Sequence, residues 1–196
     1  MHNDKIQQIA QMSLYNPQTL QCNGETFKVY LTRQELQDRV SELGEELTGQ
    51  YKGKDPIFIG VLNGAYIFLS DLMRRVEIPC EVDFIKLSSY GDEKVSSGEV
   101  TDLKDIDADI EGRHVILVED IVDTGLSMKY LVDKLQKKKP ASIATVTLLH
   151  KAEATHYDVQ LDYVGFKIPT LFVLGYGLDF AQEGRNLAQI YILDKE

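Results

Sequence analysis

Val115-Ile116-Leu117-Val118-Glu119-Asp120-Ile121-Val122-Asp123-Thr124-Gly125-Leu126-Ser127-Met128 is the stretch that decides the fold. It opens on four apolar residues in a row, the pattern of a strand buried on both faces of a sheet. Asp123-Thr124-Gly125 then reads as a turn. From Leu126 to Lys138 the spacing of Met128, Leu131, Val132 and Leu135 predicts a helix with those four side chains turned inward. Asp123 to Ser127 thus wrap a helix start, where free backbone N–H groups and the positive end of the dipole favour a phosphate dianion. Gly125 permits close approach, and the hydroxyls of Thr124 and Ser127 can donate. Glu119 and Asp120, at the strand's end, are placed to hold a sugar's hydroxyls or, through water, a hard dication such as Mg2+. The expectation is an enzyme that handles a phosphorylated ribose.

Outward from this stretch the same grammar repeats. Thr32-Arg33-Gln34-Glu35 is a capping box, and Leu36, Val40, Leu43 and Leu47 follow at helical spacing. Gly53, Asp55 and Pro56 turn into the apolar run Ile57 to Leu62, which Asn63-Gly64 breaks before a helix from Ala65 to Arg75. Glu81 to Ser88 is a further strand, and the polar segment Ser89 to Gly98 has the composition of a mobile loop. Strands are also predicted at Ile143 to Leu149, Tyr163 to Phe166, Leu171 to Leu174 and Ile190 to Leu193. Strands alternating with helices imply an α/β fold, a mostly parallel central sheet flanked by helices. Ligands of such sheets bind beyond the carboxyl ends of the strands, here after Leu62, Ser88, Val118 and Leu149.

The bulk composition narrows the classes. A chain of 196 residues suits a single domain, residues 1–196, with no internal repeat or linker. The net charge of -10, 21 basic against 31 acidic residues, opposes a nucleic-acid partner, which draws its affinity from clustered Lys and Arg. Cys22 and Cys80 have neither zinc-ligand nor redox-pair spacing, which fits a reducing, cytoplasmic setting. Met1 to Met12 do not resemble a secretory signal, and no apolar run approaches the roughly 18 residues that span a bilayer. No membrane association is expected.

Glu119 to Gly125 resembles the phosphoribosyl pyrophosphate signature of the type I phosphoribosyltransferases. Leu62-Asn63-Gly64, Ser89-Tyr90, Lys151 and the tail from Val164 through Phe172 to Asp179 and Arg185-Asn186-Leu187 resemble its hypoxanthine/guanine branch. The likeness runs from about Val29 to the C-terminus. It implies the type I phosphoribosyltransferase fold, with a small hood built from N- and C-terminal segments. It also implies purine salvage: transfer of the phosphoribosyl group from phosphoribosyl pyrophosphate to a 6-oxopurine, hypoxanthine and also guanine, with Mg2+ as cofactor and a homodimer or homotetramer as the assembly.

Carried over by residue, the resemblance assigns Glu119 and Asp120 to the ribose hydroxyls and, with Asp179, to Mg2+. Asp123 is the general base, and Thr124, Gly125, Leu126 and Ser127 grip the 5'-phosphate. Lys151 donates to the purine 6-oxo group, Phe172 stacks on the ring and the Val173 backbone reads its edge. Arg185 pairs with pyrophosphate, as do the backbone donors of Leu62, Asn63 and Gly64, with the Leu62-Asn63 bond cis. Ser89 and Tyr90 hinge a lid. Asn63 stands where many relatives carry Lys, so contact there rests on the backbone.

Other signals lead nowhere. Gly175-Tyr176-Gly177 lacks the third glycine of a dinucleotide site. His150 and His156 are not spaced to share a helical face, and Lys151 beside them disfavours a metal. Lys137-Lys138-Lys139 suits a helix C-terminus. Two competing readings keep the scaffold: a regulatory protein sensing phosphoribosyl pyrophosphate or nucleotides, and an adenine enzyme. The charge opposes an RNA-binding regulator, and Lys151, which can only donate, opposes adenine.

Overall fold

The computed structural model describes residues 17–87 and 102–194. In chain order its elements are β1 (Thr19–Cys22), β2 (Glu25–Leu31), α1 (Arg33–Tyr51), β3 (Ile57–Leu62), α2 (Tyr66–Met73), β4 (Glu81–Leu87) and β5 (Asp102–Lys104). There follow β6 (His114–Val122), α3 (Leu126–Gln136), β7 (Ser142–His150), β8 (Tyr163–Lys167), β9 (Val173–Leu174) and β10 (Ile190–Leu193). The chain divides into two compact units, Val40–Thr170 and the remainder on either side of it.

In Val40–Thr170 the sheet runs β5-β4-β3-β6-β7-β8, parallel except where β5 meets β4. The two unbroken apolar runs of the sequence, Ile57 to Leu62 and Val115 to Val118, lie in the central strands β3 and β6, where both faces of the sheet are covered. Because side chains alternate along a strand, Ile57, Ile59, Val115 and Leu117 share one face and pack with Met128, Leu131 and Leu135 of α3. Each such fully buried side chain is worth about 1.5 to 3 kcal/mol. On the opposite face a Cβ on Gly60 would strike Leu69 of α2, so this helix seats closely on the sheet. Helices therefore cover both faces, as expected. The parallel register sets Gly60 beside Val118 and Val122 beside His150, so the loops after β3, β6 and β7 emerge along one edge.

The other unit holds a second sheet, β1-β2-β10-β9, antiparallel at every pairing. Its core is Phe27, Leu174 and Tyr191, all fully buried, with Cys22. This is the hood of N- and C-terminal segments. The hairpin β1–β2 was not expected, although Asn23-Gly24, with φ of 49° and 81°, is a strong short-range hairpin signal. The capping box forms as read: the Thr32 N–H and hydroxyl donate to the Glu35 carboxylate at 2.8 and 2.6 Å, and the Glu35 N–H donates back to Thr32 Oγ1 at 3.3 Å.

Some boundaries differ from expectation. β6 does not end at Val118, because Glu119, Ile121 and Val122 continue to pair with Thr147, Leu149 and His150 of β7. Glu119 and Asp120 are thus strand residues. Val132 is half-buried where a core position was expected, and the strand predicted from Leu171 shrinks to Val173–Leu174. Ser89, Tyr90 and the expected lid lie outside the described residues. Among the described residues no helix is long and apolar enough to cross a membrane.

Candidate active site

The turn after β6 leads into the start of α3 where the sequence placed it. Gly125 caps α3 with φ 89°, a left-handed conformation that favours glycine. A Cβ there would also crowd Val159, Thr155 and the Tyr157 carbonyl at 3.2 to 3.4 Å. A pocket of about 120 Å³ opens at this helix start, lined by Glu119, Asp123, Thr124, Gly125 and Ser127 among others. The Thr124 carbonyl faces away from it, accepting the N–H groups of His156 and Tyr157 at 3.0 and 3.2 Å.

Behind the cradle stands the acid pair. Both Glu119 and Asp120 are buried. Burial pushes the Glu119 carboxyl well above its ordinary range, and the adjacent Asp120 charge and hydrogen bond push the same way. Its Oε2 is buried without a hydrogen-bond partner among the described residues. A cation would relieve both the repulsion and the orphaned oxygen, so this pair fits a hard dication. Among the described residues no three Asp, Glu, His or Cys side chains are arranged to hold a metal. Asp120 is fixed by the Ile121 N–H at 2.9 Å and lies against the loop after β3. A Cβ on Gly64 would fall on its carboxylate, so only glycine fits there. The Leu62-Asn63 bond of that loop is cis.

At the mouth of the cradle the Lys151 Nζ donates to Asp123 Oδ2 at 2.6 Å. The lysine is buried, whereas the Asp123 side chain is 48% exposed. Two residues read separately from the sequence are thus one ion pair, brought together because β6 and β7 are neighbours. The Lys151 N–H also donates to the Val122 carbonyl at 2.9 Å. Thr155, which no motif in the sequence singles out, sits beside this pair. Its hydroxyl is 2.8 Å from the Asp123 carbonyl.

The remaining residues belong to the hood. The Phe172 ring is 47% exposed, with Phe180 edge-on at 5.2 Å and Phe27 tilted at 6.1 Å. Val173 is buried in β9. Asp179 and Arg185, assigned to a cation and to pyrophosphate, are bound to one another at 2.5 Å. Asp179 also accepts the Gln182 N–H at 2.8 Å, and Arg185 donates to the Gly177 carbonyl at 2.8 Å. Gly175, Tyr176 and Gly177 all have positive φ and form a tight turn.

A chain with this helix start, two buried acids and an ion-paired carboxylate has relatives among known proteins. Residues 28–181 match the family described as the phosphoribosyl transferase domain, and the chain belongs to that family. More particularly, the chain is similar to the hypoxanthine-guanine phosphoribosyltransferase of Bacillus subtilis, 46% identical over 166 residues, covering 85% of this chain and 92% of that protein. It is 48% identical over 169 residues to the bifunctional protein TilS/HprT of Listeria monocytogenes, where the match covers 86% of this chain but spans only 26% of the relative's length. Among solved structures, the hypoxanthine phosphoribosyltransferase of Trypanosoma cruzi in complex with the product IMP superposes with a TM-score of 0.79 at 39% identity, covering 85% of this chain and 93% of that one. The two sheets described above are those of the type I phosphoribosyltransferase fold.

Proposed function

We propose that this chain is a hypoxanthine phosphoribosyltransferase of purine salvage, accepting guanine as well. It would transfer the 5-phosphoribosyl group from phosphoribosyl pyrophosphate to the base, giving IMP or GMP and pyrophosphate. The observation that carries this reading is the Asp123–Lys151 pair at the mouth of the phosphate pocket. A 6-oxopurine presents an imidazole N–H and the 6-oxo oxygen on one edge. A carboxylate beside an ammonium matches that edge, acceptor to donor and donor to acceptor. Adenine would set its amino group against Lys151.

In the reaction the imidazole nitrogen bonds to the anomeric carbon, the bond from that carbon to pyrophosphate breaks, and the imidazole proton passes to Asp123. Thr124 to Ser127 hold the 5'-phosphate on the N-terminus of α3. Glu119 and Asp120 take the ribose hydroxyls. They would also hold Mg2+, with Asp179 as a further ligand, and the ion when bound supplies positive charge for the leaving pyrophosphate. Arg185 and the backbone of Leu62, Asn63 and Gly64 bind that leaving group. Phe172 offers an exposed face for the purine, and the Val173 backbone reads its edge. Ser89 and Tyr90 would close over the site and exclude water. A cytoplasmic homodimer or homotetramer completes the reading.

The test is direct: purified protein, phosphoribosyl pyrophosphate and Mg2+ are mixed with hypoxanthine, guanine or adenine, and pyrophosphate release is followed. Release with the two 6-oxopurines and not with adenine is expected. Silence with every 6-oxopurine removes the assignment.

A further inference from the structure

Beside the Asp123–Lys151 pair lies a polar cluster that the reaction as written does not use. Thr155 Oγ1 has three neighbours: the Asp123 carbonyl at 2.8 Å, the Lys151 carbonyl at 3.1 Å and His150 Nε2 at 3.1 Å. A hydroxyl carries one proton, and a carbonyl can only accept. If Thr155 gave its proton to His150, both carbonyl oxygens would face lone pairs. The His150 Nδ1, which is buried and has no partner among the described residues, would then carry an N–H with no acceptor there. The arrangement that satisfies the most groups has the Nε2–H of His150 donating to Thr155, and Thr155 donating to the nearer carbonyl, that of Asp123. Burial, seconded by the Lys167 charge, lowers the affinity of this ring for a second proton, so it stays neutral.

We infer that His150 and Thr155 are a positioning pair, holding the backbone that carries the base in register with the backbone that carries the purine-reading lysine. This rests on the function proposed above. The segment after β7 is laced to the loop after β6 by the N–H groups of Lys151, His156 and Tyr157, which reach the carbonyls of Val122 and Thr124. Those three bonds leave the Asp123 carbonyl untouched. The Thr155 hydroxyl reaches it, and His150 in turn fixes the hydroxyl. Asp123 itself is half-exposed on a loop, and proton transfer is sensitive to placement on the ångström scale. Neither His150 nor Thr155 has a substrate contact in the function proposed above.

The test combines kinetics with hydrogen exchange. Thr155→Val keeps the shape and deletes the hydroxyl. It should lower kcat with hypoxanthine by about ten-fold while KM for phosphoribosyl pyrophosphate moves less than about two-fold, since the cradle's own N–H groups are intact. Thr155→Ser, which restores the hydroxyl, should recover wild-type kcat. His150→Phe should lower kcat less than Thr155→Val, and the double variant should be no slower than Thr155→Val alone, because His150 acts through the hydroxyl. Independently of activity, the His156 and Tyr157 amides should exchange about ten-fold faster in Thr155→Val, with the amides of β7 unchanged. Wild-type kcat in Thr155→Val, failure of Thr155→Ser to recover, additive losses in the double variant, or unchanged exchange at His156 and Tyr157 would each overturn the inference. An inactive wild-type protein would instead remove the proposed function, and the exchange measurement would still decide whether the brace exists.

Discussion

At the scale of single residues the site is a set of opposed charges held apart from water to different degrees. Lys151 is buried and pairs with the half-exposed Asp123, so the lysine depends on that carboxylate more than the reverse. Asp123→Asn keeps the shape but gives the lysine an amide and the purine no base. Turnover should fall by roughly 10^2 to 10^4, the usual worth of a general base, while binding of the product nucleotide's phosphate persists. Single-turnover rates beside nucleotide titrations check this, and wild-type turnover would exclude Asp123 as the base. Lys151→Met leaves Asp123 unpaired and removes the donor to the 6-oxo group. The ratio of kcat/KM for hypoxanthine over adenine should therefore drop by about 10^2 or more, since unpaired buried polar groups dominate such discrimination. Neither the closeness of this pair nor the roles of Thr155 and His150 was legible in the sequence. Asp123 and Lys151 lie on different loops, and only the register of β6 against β7 sets Val122 beside His150 and so brings them together. Periodicity carries no information on which strands are neighbours.

At the scale of elements, the sequence was most informative where burial is one-sided in its demands. Ile57 to Leu62 and Val115 to Val118 announce central strands because only a strand with apolar neighbours on both faces tolerates such a run. The end of β6 was misplaced because Glu119 and Asp120 look like the close of a strand, whereas hydrogen bonding to β7 carries it on through Val122. The hood was least legible, its sheet joining β1 and β2 to β9 and β10 across most of the chain length. Short strands paired at such separation leave no local pattern. Loops, by contrast, are constrained at single glycines. Gly64→Ala would put a methyl on the Asp120 carboxylate, so either the loop after β3 or the acid must move. We expect kcat/KM for phosphoribosyl pyrophosphate to fall by about 10^2 with the urea midpoint little changed, a displacement of machinery more than of core. Gly125→Ala is different in kind. It forces a side chain into φ 89° at the N-cap of α3. Its loss should appear as stability, about 1 to 2 kcal/mol by denaturant titration, beside weakened phosphate binding.

At the scale of the whole molecule, the acids that fold the sheet and the acids that serve the site pull stability in opposite directions with pH. Burial alone would raise Asp83, but the N–H groups of Ala108, Phe84 and Asp107, together with the Lys104 ammonium, outweigh it and hold the carboxyl below its ordinary value. Its contribution is present above the unfolded-state value and is lost as pH falls through the folded one. Glu119 has the reverse sign. Its value is raised by burial and then by Asp120, so over the window between the ordinary and the raised values the native state binds more protons than the unfolded chain. Stability from Glu119 is full below the ordinary glutamate value and declines as pH rises through the raised one. The ligand-free protein should therefore lose stability as pH rises from the ordinary glutamate value to the raised one. Glu119→Gln, which has no proton to lose, should flatten that decline and melt higher than wild type above that window, by roughly 2 to 4 °C for each kcal/mol recovered. Mg2+ should do the same for wild type by neutralising the pair, and should do little for Glu119→Gln. Melting curves across pH, with Mg2+ and with a chelator, separate these cases. A wild-type curve whose decline over that window is unmoved both by the substitution and by Mg2+ would show that the Glu119–Asp120 pair is not where the molecule concentrates its buried charge.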